Sequence, residues 1–214
     1  MIIKQITMLF AALFFGIYLH AQDFPENTNG NIEFSEVIKT TLEKSVSHAN
    51  AKEWIAKTFG DYKSVLQFED NENCKLIIKG LSNIEHVSGI PGMSTKENIS
   101  YTMTIESKDG KYRYIIDNVL VNQTMNILGS SVHPKPFSPI DHKQNINKYN
   151  KAIADLKLID ETTLKKKAQK EHQEKIADLQ RSLNDESICY QQEYEAITGI
   201  INTLKEAMQT NDDF

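Results

Sequence analysis

Hydrophobic positions along this chain follow two periods, and the change from one to the other predicts where strands give way to helices. Tyr101, Met103 and Ile105 alternate with polar neighbours in residues 99–106, and Tyr112, Tyr114 and Ile116 do so in residues 111–116. Asp109-Gly110 sits between these runs and suits a two-residue turn with positive φ at both positions. That turn sets Ile105 opposite Tyr114, Met103 opposite Ile116 and Glu106 opposite Arg113, so apolar meets apolar and acid meets base. Upstream, residues 32–38 (IEFSEVI) have strand composition. Residues 64–68 and 74–79 read as two more strands around the turn-rich Glu69-Asp70-Asn71-Glu72-Asn73. Before them Ala51, Trp54, Ile55 and Phe59 share one helix face, with Ser45 or Ser47 as its N-cap and Gly60 as its stop.

The second half changes character. Residues 129–142 hold Pro134, Pro136 and Pro139, so residues 122–145 read as an extended linker. Ile146, Tyr149, Ile153, Leu156 and Ile159 then form a helical stripe expected to pack on the sheet. Residues 162–175 are nearly all polar, and Lys165-Lys166-Lys167 reads as a solvated face because acids follow closely. A second stripe runs Ile176, Leu179, Leu183, Tyr190, Tyr194, Ile197, Ile201, Leu204, Met208. It breaks at the polar pair Glu186-Ser187, where either the helix turns near Asn184-Asp185 or the seam is briefly polar. The polar gap before this stripe predicts that it lies outside the domain core, as a coiled-coil or hairpin seam. Tyr190, Tyr194, Ile197, Ile201, Leu204 and Met208 are then the candidate contacts for self-association or a protein partner.

Composition narrows the class. Of 214 residues, 40% are hydrophobic, enough for a sizeable core, and nine Gly and five Pro exclude collagen-like and low-complexity chains. A formal net charge of −5 gives no support to a nucleic-acid partner. Two Cys exclude a disulfide scaffold and a four-Cys zinc site. Lys4, the apolar stretch 6–19 and the small residue of His20-Ala21-Gln22 read as a signal peptide cleaved near Ala21/Gln22. The stretch is short of the ~20 residues a membrane span needs, so no span is expected after cleavage. The mature protein is thus expected to be periplasmic or secreted. Its parts would be a signal peptide (1–21), a flexible leader (22–31), an α+β domain (32–160, linker and packing helix included) and a C-terminal helical extension (161–214).

The element order is strand, helix, four strands, helix. Residues 32–121 resemble a family of bacterial secreted proteins known as a domain of unknown function with a TBP-like fold. The resemblance runs through Trp54-Ile55-Ala56-Lys57-Thr58-Phe59, Val65-Leu66-Gln67-Phe68-Glu69-Asp70, Ile78-Lys79-Gly80 and Ser100-Tyr101-Thr102-Met103-Thr104-Ile105. Its most specific part is Lys108-Asp109-Gly110-Lys111-Tyr112-Arg113-Tyr114. It implies an antiparallel sheet curled around a C-terminal helix and an envelope address. It implies no catalytic residue.

A search for chemistry finds little. His48, His86, His133, His142 and His172 are scattered without an i, i+4 pair; His133 and His142, sharing the linker, read as solvent-exposed imidazoles. There is no Gly-x-Ser-x-Gly elbow and no P-loop, and Gly89-Ile90-Pro91-Gly92 reads as a turn. Trp54 and the hairpin tyrosines read as core. Cys74 shares inward parity with Leu76 and Ile78, while Cys189 lies far along the helical region, so both are expected to be free thiols in the monomer. No catalytic, cofactor or metal residues are therefore assigned. The expected function is a noncatalytic binding or interaction module; the alternative is a carrier of a small apolar molecule in a sheet-over-helix cavity.

Overall fold

The computed structural model describes residues 23–86 and 93–209. The signal-peptide reading of residues 1–21 and the turn at 89–92 lie outside them.

Among the described residues, six antiparallel strands form one sheet in the order β1-β5-β4-β3-β2, with β6 pairing the far end of β5. The strands are β1 (Phe34–Lys39), β2 (Leu66–Asp70), β3 (Lys75–His86), β4 (Met93–Lys108), β5 (Lys111–Ile127) and β6 (Ser130–Val132). The β4–β5 register pairs Ile105 with Tyr114, Met103 with Ile116 and Glu106 with Arg113, as the alternation and the turn require. Gly110 takes φ +75°, whereas Asp109 keeps a negative φ, so the turn has one left-handed residue rather than two. Asp109 has another task. Its Oδ1 accepts the backbone N–H of Lys44, 2.9 Å away, at the start of helix α1 (Lys44–Phe59). That contact replaces the expected serine cap: Ser45 and Ser47 lie inside the helix, and the N-cap residue Glu43 makes no side-chain bond. Helix α1 ends at Gly60 with φ +70°. A single turn, α2 (Tyr62–Val65), then leads into β2.

The sheet is longer than the alternation alone suggests. β5 has 17 residues, about 56 Å at ~3.3 Å per residue. It runs through Ile127 into the segment expected to be linker, and helix α3 (Pro139–Lys157) begins before that linker was expected to end. A 3-10 turn at Glu161–Thr163 then joins α3 to α4 (Lys166–Ala207), a single helix of 42 residues, about 63 Å long at ~1.5 Å per residue. It does not turn at Asn184-Asp185.

This length settles what the second stripe does. Tyr190, Ile197, Ile201, Leu204 and Met208 are all buried in the main core, together with Ala51, Trp54 and Ile55 of α1 and the inward residues of β3, β4 and β5. Tyr194 is half-buried against the same cluster. The reading of this stripe as a coiled-coil or hairpin seam outside the domain core is thus corrected. Polar residues 162–175 cover the hairpin turn and the first turns of α4, which lets the rest of the helix return under the sheet. Each fully buried aliphatic side chain of the stripe, such as Ile197 or Leu204, contributes about 1.5–3 kcal/mol by leaving water. The first stripe packs mainly along α4 rather than on the sheet, with Ile153 buried and Ile146 half-buried.

The leader is not loose either. Phe24 is buried and meets the rings of Phe34, Tyr190 and Tyr194 edge-on at centroid distances of 5.8, 5.3 and 5.4 Å. Its N–H donates to Tyr190 Oη at 3.2 Å, and Lys143 Nζ lies 3.4 Å from Asp23. One apolar residue in a polar run is enough to fasten it. On the sheet, Gly80 lies across from Tyr101, whose ring fills the space a Cβ would need: Cζ is 2.2 Å from that position.

Candidate functional site

Three elements each send one polar side chain into the apolar interior, and the three meet. Glu97 lies on β4 with the inward parity of Ile99, Tyr101 and Met103. His142 stands in the first turn of α3, where Pro139 and a reciprocal cap fix the backbone. Ser138 Oγ accepts from Ile140 N–H, and Asp141 accepts the Ser138 N–H at 3.1 Å. Glu193 lies on α4, within the stripe between Tyr190 and Ile197. Glu97 and Glu193 are 0% exposed and His142 7%. One donor atom from each, taken together, lie within 4.8 Å of one another.

The surrounding bonds hold these groups in place. His142 Nδ1 donates to Glu186 Oε2, and Asn145 Nδ2 supports the other oxygen of Glu186 at 3.3 Å. Gln123, directly across the ladder from Glu97, donates its Nε2 to Glu97 Oε1 at 3.0 Å. The remaining atoms point inward without a hydrogen bond: Glu97 Oε2, His142 Nε2 and both oxygens of Glu193. His142 Nε2 lies 3.1 Å from Glu193 Oε1, a charge contact off the line of a hydrogen bond.

Three acids around one imidazole decide the electrostatics. Burial works against a charged His142, but Glu186 and Glu193 outweigh it and push it up to about 10. Burial pushes Glu193 up to about 7, against the pull of His142. Cys189, nearby on α4, is driven far above the ordinary thiol range by burial and by Glu97, Glu193 and Glu186. A cleft of about 220 Å³ lies on the His142 side of the centre, lined by Thr95, Gln123, His142, Tyr149, Glu186 and Cys189 among others.

The histidines therefore divide. His133 is exposed, as expected, with Nδ1 3.1 Å from Thr124 Oγ1. His142 is buried and central, contrary to its reading as a solvent-exposed linker imidazole, because the linker is already helix at that point. His48 is buried with Nε2 3.2 Å from Asn71 Oδ1, and buried His172 lies 3.6 Å from Glu161. Cys74 and Cys189 are both free and buried. The seam residues Tyr190, Tyr194, Ile197, Ile201, Leu204 and Met208 pack in or against this chain's own core. Trp54 is core, its Nε1 donating to Thr203 Oγ1 at 3.1 Å. The side chains of sheet and helices pack there as one core cluster. No described helix is long and apolar enough to cross a membrane.

Residues 34–122 match DUF4468, a domain of unknown function with TBP-like fold. The match runs from β1 into β5, close to the 32–121 span of the resemblance, and the α+β antiparallel architecture agrees with it. Two solved structures are similar. One is a DUF4468 family protein from Bacteroides ovatus ATCC 8483, 14% identical with a TM-score of 0.40, the likeness covering 54% of this chain and 66% of that one. The other is a TBP-like protein from Parabacteroides distasonis ATCC 8503, 16% identical with a TM-score of 0.40, covering 53% and 69%. The chain thus spans just under two thirds of the first of these. No curated protein matches. The DUF4468 region contributes Glu97 and ends before His142, Glu186 and Glu193, so the polar centre is assembled across its boundary.

Proposed function

We propose that the chain is exported and that its mature part is a noncatalytic binding module, which takes a ligand at the Glu97–His142–Glu193 centre. The observation that carries this reading is the set of buried polar atoms without hydrogen-bond partners, beside a cleft that His142 lines. Gln123 bonds one oxygen of Glu97 and Glu193 has only its charge contact with His142, so polar atoms of both stay unbonded in the interior, which costs on the order of 2–7 kcal/mol even for a neutral polar group. A ligand that binds those atoms offsets that cost. The centre suits holding rather than chemistry. Burial, reinforced by its acids, pushes the Cys189 thiol up, the opposite of an activated nucleophile. Export rests on Lys4 and the apolar stretch 6–19.

Native mass spectrometry on protein isolated from its host tests both parts. The polypeptide should begin at Gln22 and carry a noncovalent adduct that Glu193→Gln loses. A retained Met1 would overturn the export reading. A bare polypeptide in parent and variant alike would overturn the binding reading.

A further inference from the structure

We infer that the ligand of this centre is a single first-row divalent metal ion, held by Glu97, His142 and Glu193. The inference rests on the binding reading above and gives it a chemical class. An imidazole nitrogen with two carboxylate oxygens is a donor set for Zn2+ and its neighbours rather than for Mg2+ or Ca2+, which take oxygen ligands.

The geometry agrees in three respects. Zn–N and Zn–O bonds of about 2.0–2.2 Å set donors of one ion roughly 3–3.5 Å apart. The three atoms lie within 4.8 Å of each other, a gap that modest side-chain rotation closes. The second respect is how each donor is held. His142 presents Nε2 inward while its Nδ1 is fixed by a carboxylate, Glu186, and Glu97 presents Oε2 while its Oε1 is fixed by Gln123. Metal-binding histidines and carboxylates are oriented by such outer partners. The third is charge. Glu97, Glu186 and Glu193 crowd one imidazole in a region where unpaired charge is expensive; a dication that displaces the Nε2 proton leaves His142 neutral and puts two positive charges where the imidazolium carried one. A cleft lined by His142 and Glu186 lies beside the centre.

The test is calorimetric titration of chelator-stripped protein with Zn2+, with Mg2+ and Ca2+ in parallel. One equivalent of Zn2+ should bind with a Kd in the micromolar range or tighter, and neither Mg2+ nor Ca2+ should compete. Glu97→Gln and Glu193→Gln should each weaken Zn2+ binding about 100-fold or more, and Gln123→Ala, which leaves all three donors in place, about 10-fold. His133→Ala, at the exposed histidine, should change nothing. Circular dichroism accompanies each variant, and Gln123→Ala carries the test should a donor variant unfold. Absence of saturable Zn2+ binding overturns the inference, as does binding unchanged by Glu193→Gln or abolished by His133→Ala. An organic adduct on the isolated protein, lost in Glu193→Gln and unaccompanied by metal, would overturn the metal while leaving the binding reading intact. No adduct and no uptake would overturn both.

Discussion

The double substitution Ile197→Asp, Ile201→Asp is expected to abolish cooperative folding of the whole domain, sheet included. Ile197 is 0% exposed and Ile201 5%, and both pack in the cluster that contains Trp54, Leu76 and Met103. Losing a buried isoleucine side chain costs about 2–5 kcal/mol, and a buried unpaired carboxylate adds to it. Two such sites together cost about 8 kcal/mol or more, comparable to the 5–15 kcal/mol that holds a typical domain folded. An independent seam would give another result, lost association with the sheet domain intact. Circular dichroism in the far and near ultraviolet separates the two. Leu158→Asp, at a residue 86% exposed beyond the end of α3, is the control and should leave the unfolding midpoint unchanged. A double variant that unfolds at the parent's midpoint would contradict the placement of α4.

That placement shows where the sequence was legible and where it was not. The β4–β5 register could be read because two independent signals, alternation and the Asp109-Gly110 turn, had to agree and did. The stripe on α4 was equally visible. Spacing tells which helix face is apolar, however, and says nothing of what covers it. The polar gap at 162–175 looked like a boundary and is a hairpin turn followed by a solvated helix start. Phe24 was hidden by its polar neighbours, and Asp109 capping α1 is a contact between residues 65 positions apart.

The polar centre was harder to see because each of its members is an exception inside an apolar pattern. Glu97 has the inward parity of Ile99 and Tyr101, but it precedes the run that announced the strand. His142 stands four residues before Ile146 and so begins the stripe of α3, yet the prolines around it suggested an extended chain. Glu193 sits between Tyr190 and Ile197 on the buried face of α4. The break at Glu186-Ser187 was a true signal. The helix continues through it, and Glu186 is polar there because it faces His142 and Asn145. That these exceptions converge is a property of the fold, since they come from three elements far apart in the chain.

The second large effect is expected at His142. His142→Ala removes the cation between Glu186 and Glu193 while leaving their carboxylates in place. Breaking a buried charge pair from one side costs about 3–5 kcal/mol, because the partner stays buried without compensation. Urea unfolding of metal-free protein at neutral pH should show that loss as a lower midpoint with an unchanged m-value. Adding Glu193→Gln to His142→Ala should recover part of it, since the acid left unpaired is then gone. An alanine variant within about 0.5 kcal/mol of the parent would contradict the pairing.

The central claim is that Glu97, His142 and Glu193 form one binding centre for a metal ion. Anomalous-difference maps across the zinc absorption edge, from crystals grown with Zn2+, test it most directly. A single strong peak is expected, bounded by Glu97 Oε2, His142 Nε2 and the Glu193 carboxylate. Density confined to exposed His133, or none inside the domain, would contradict it.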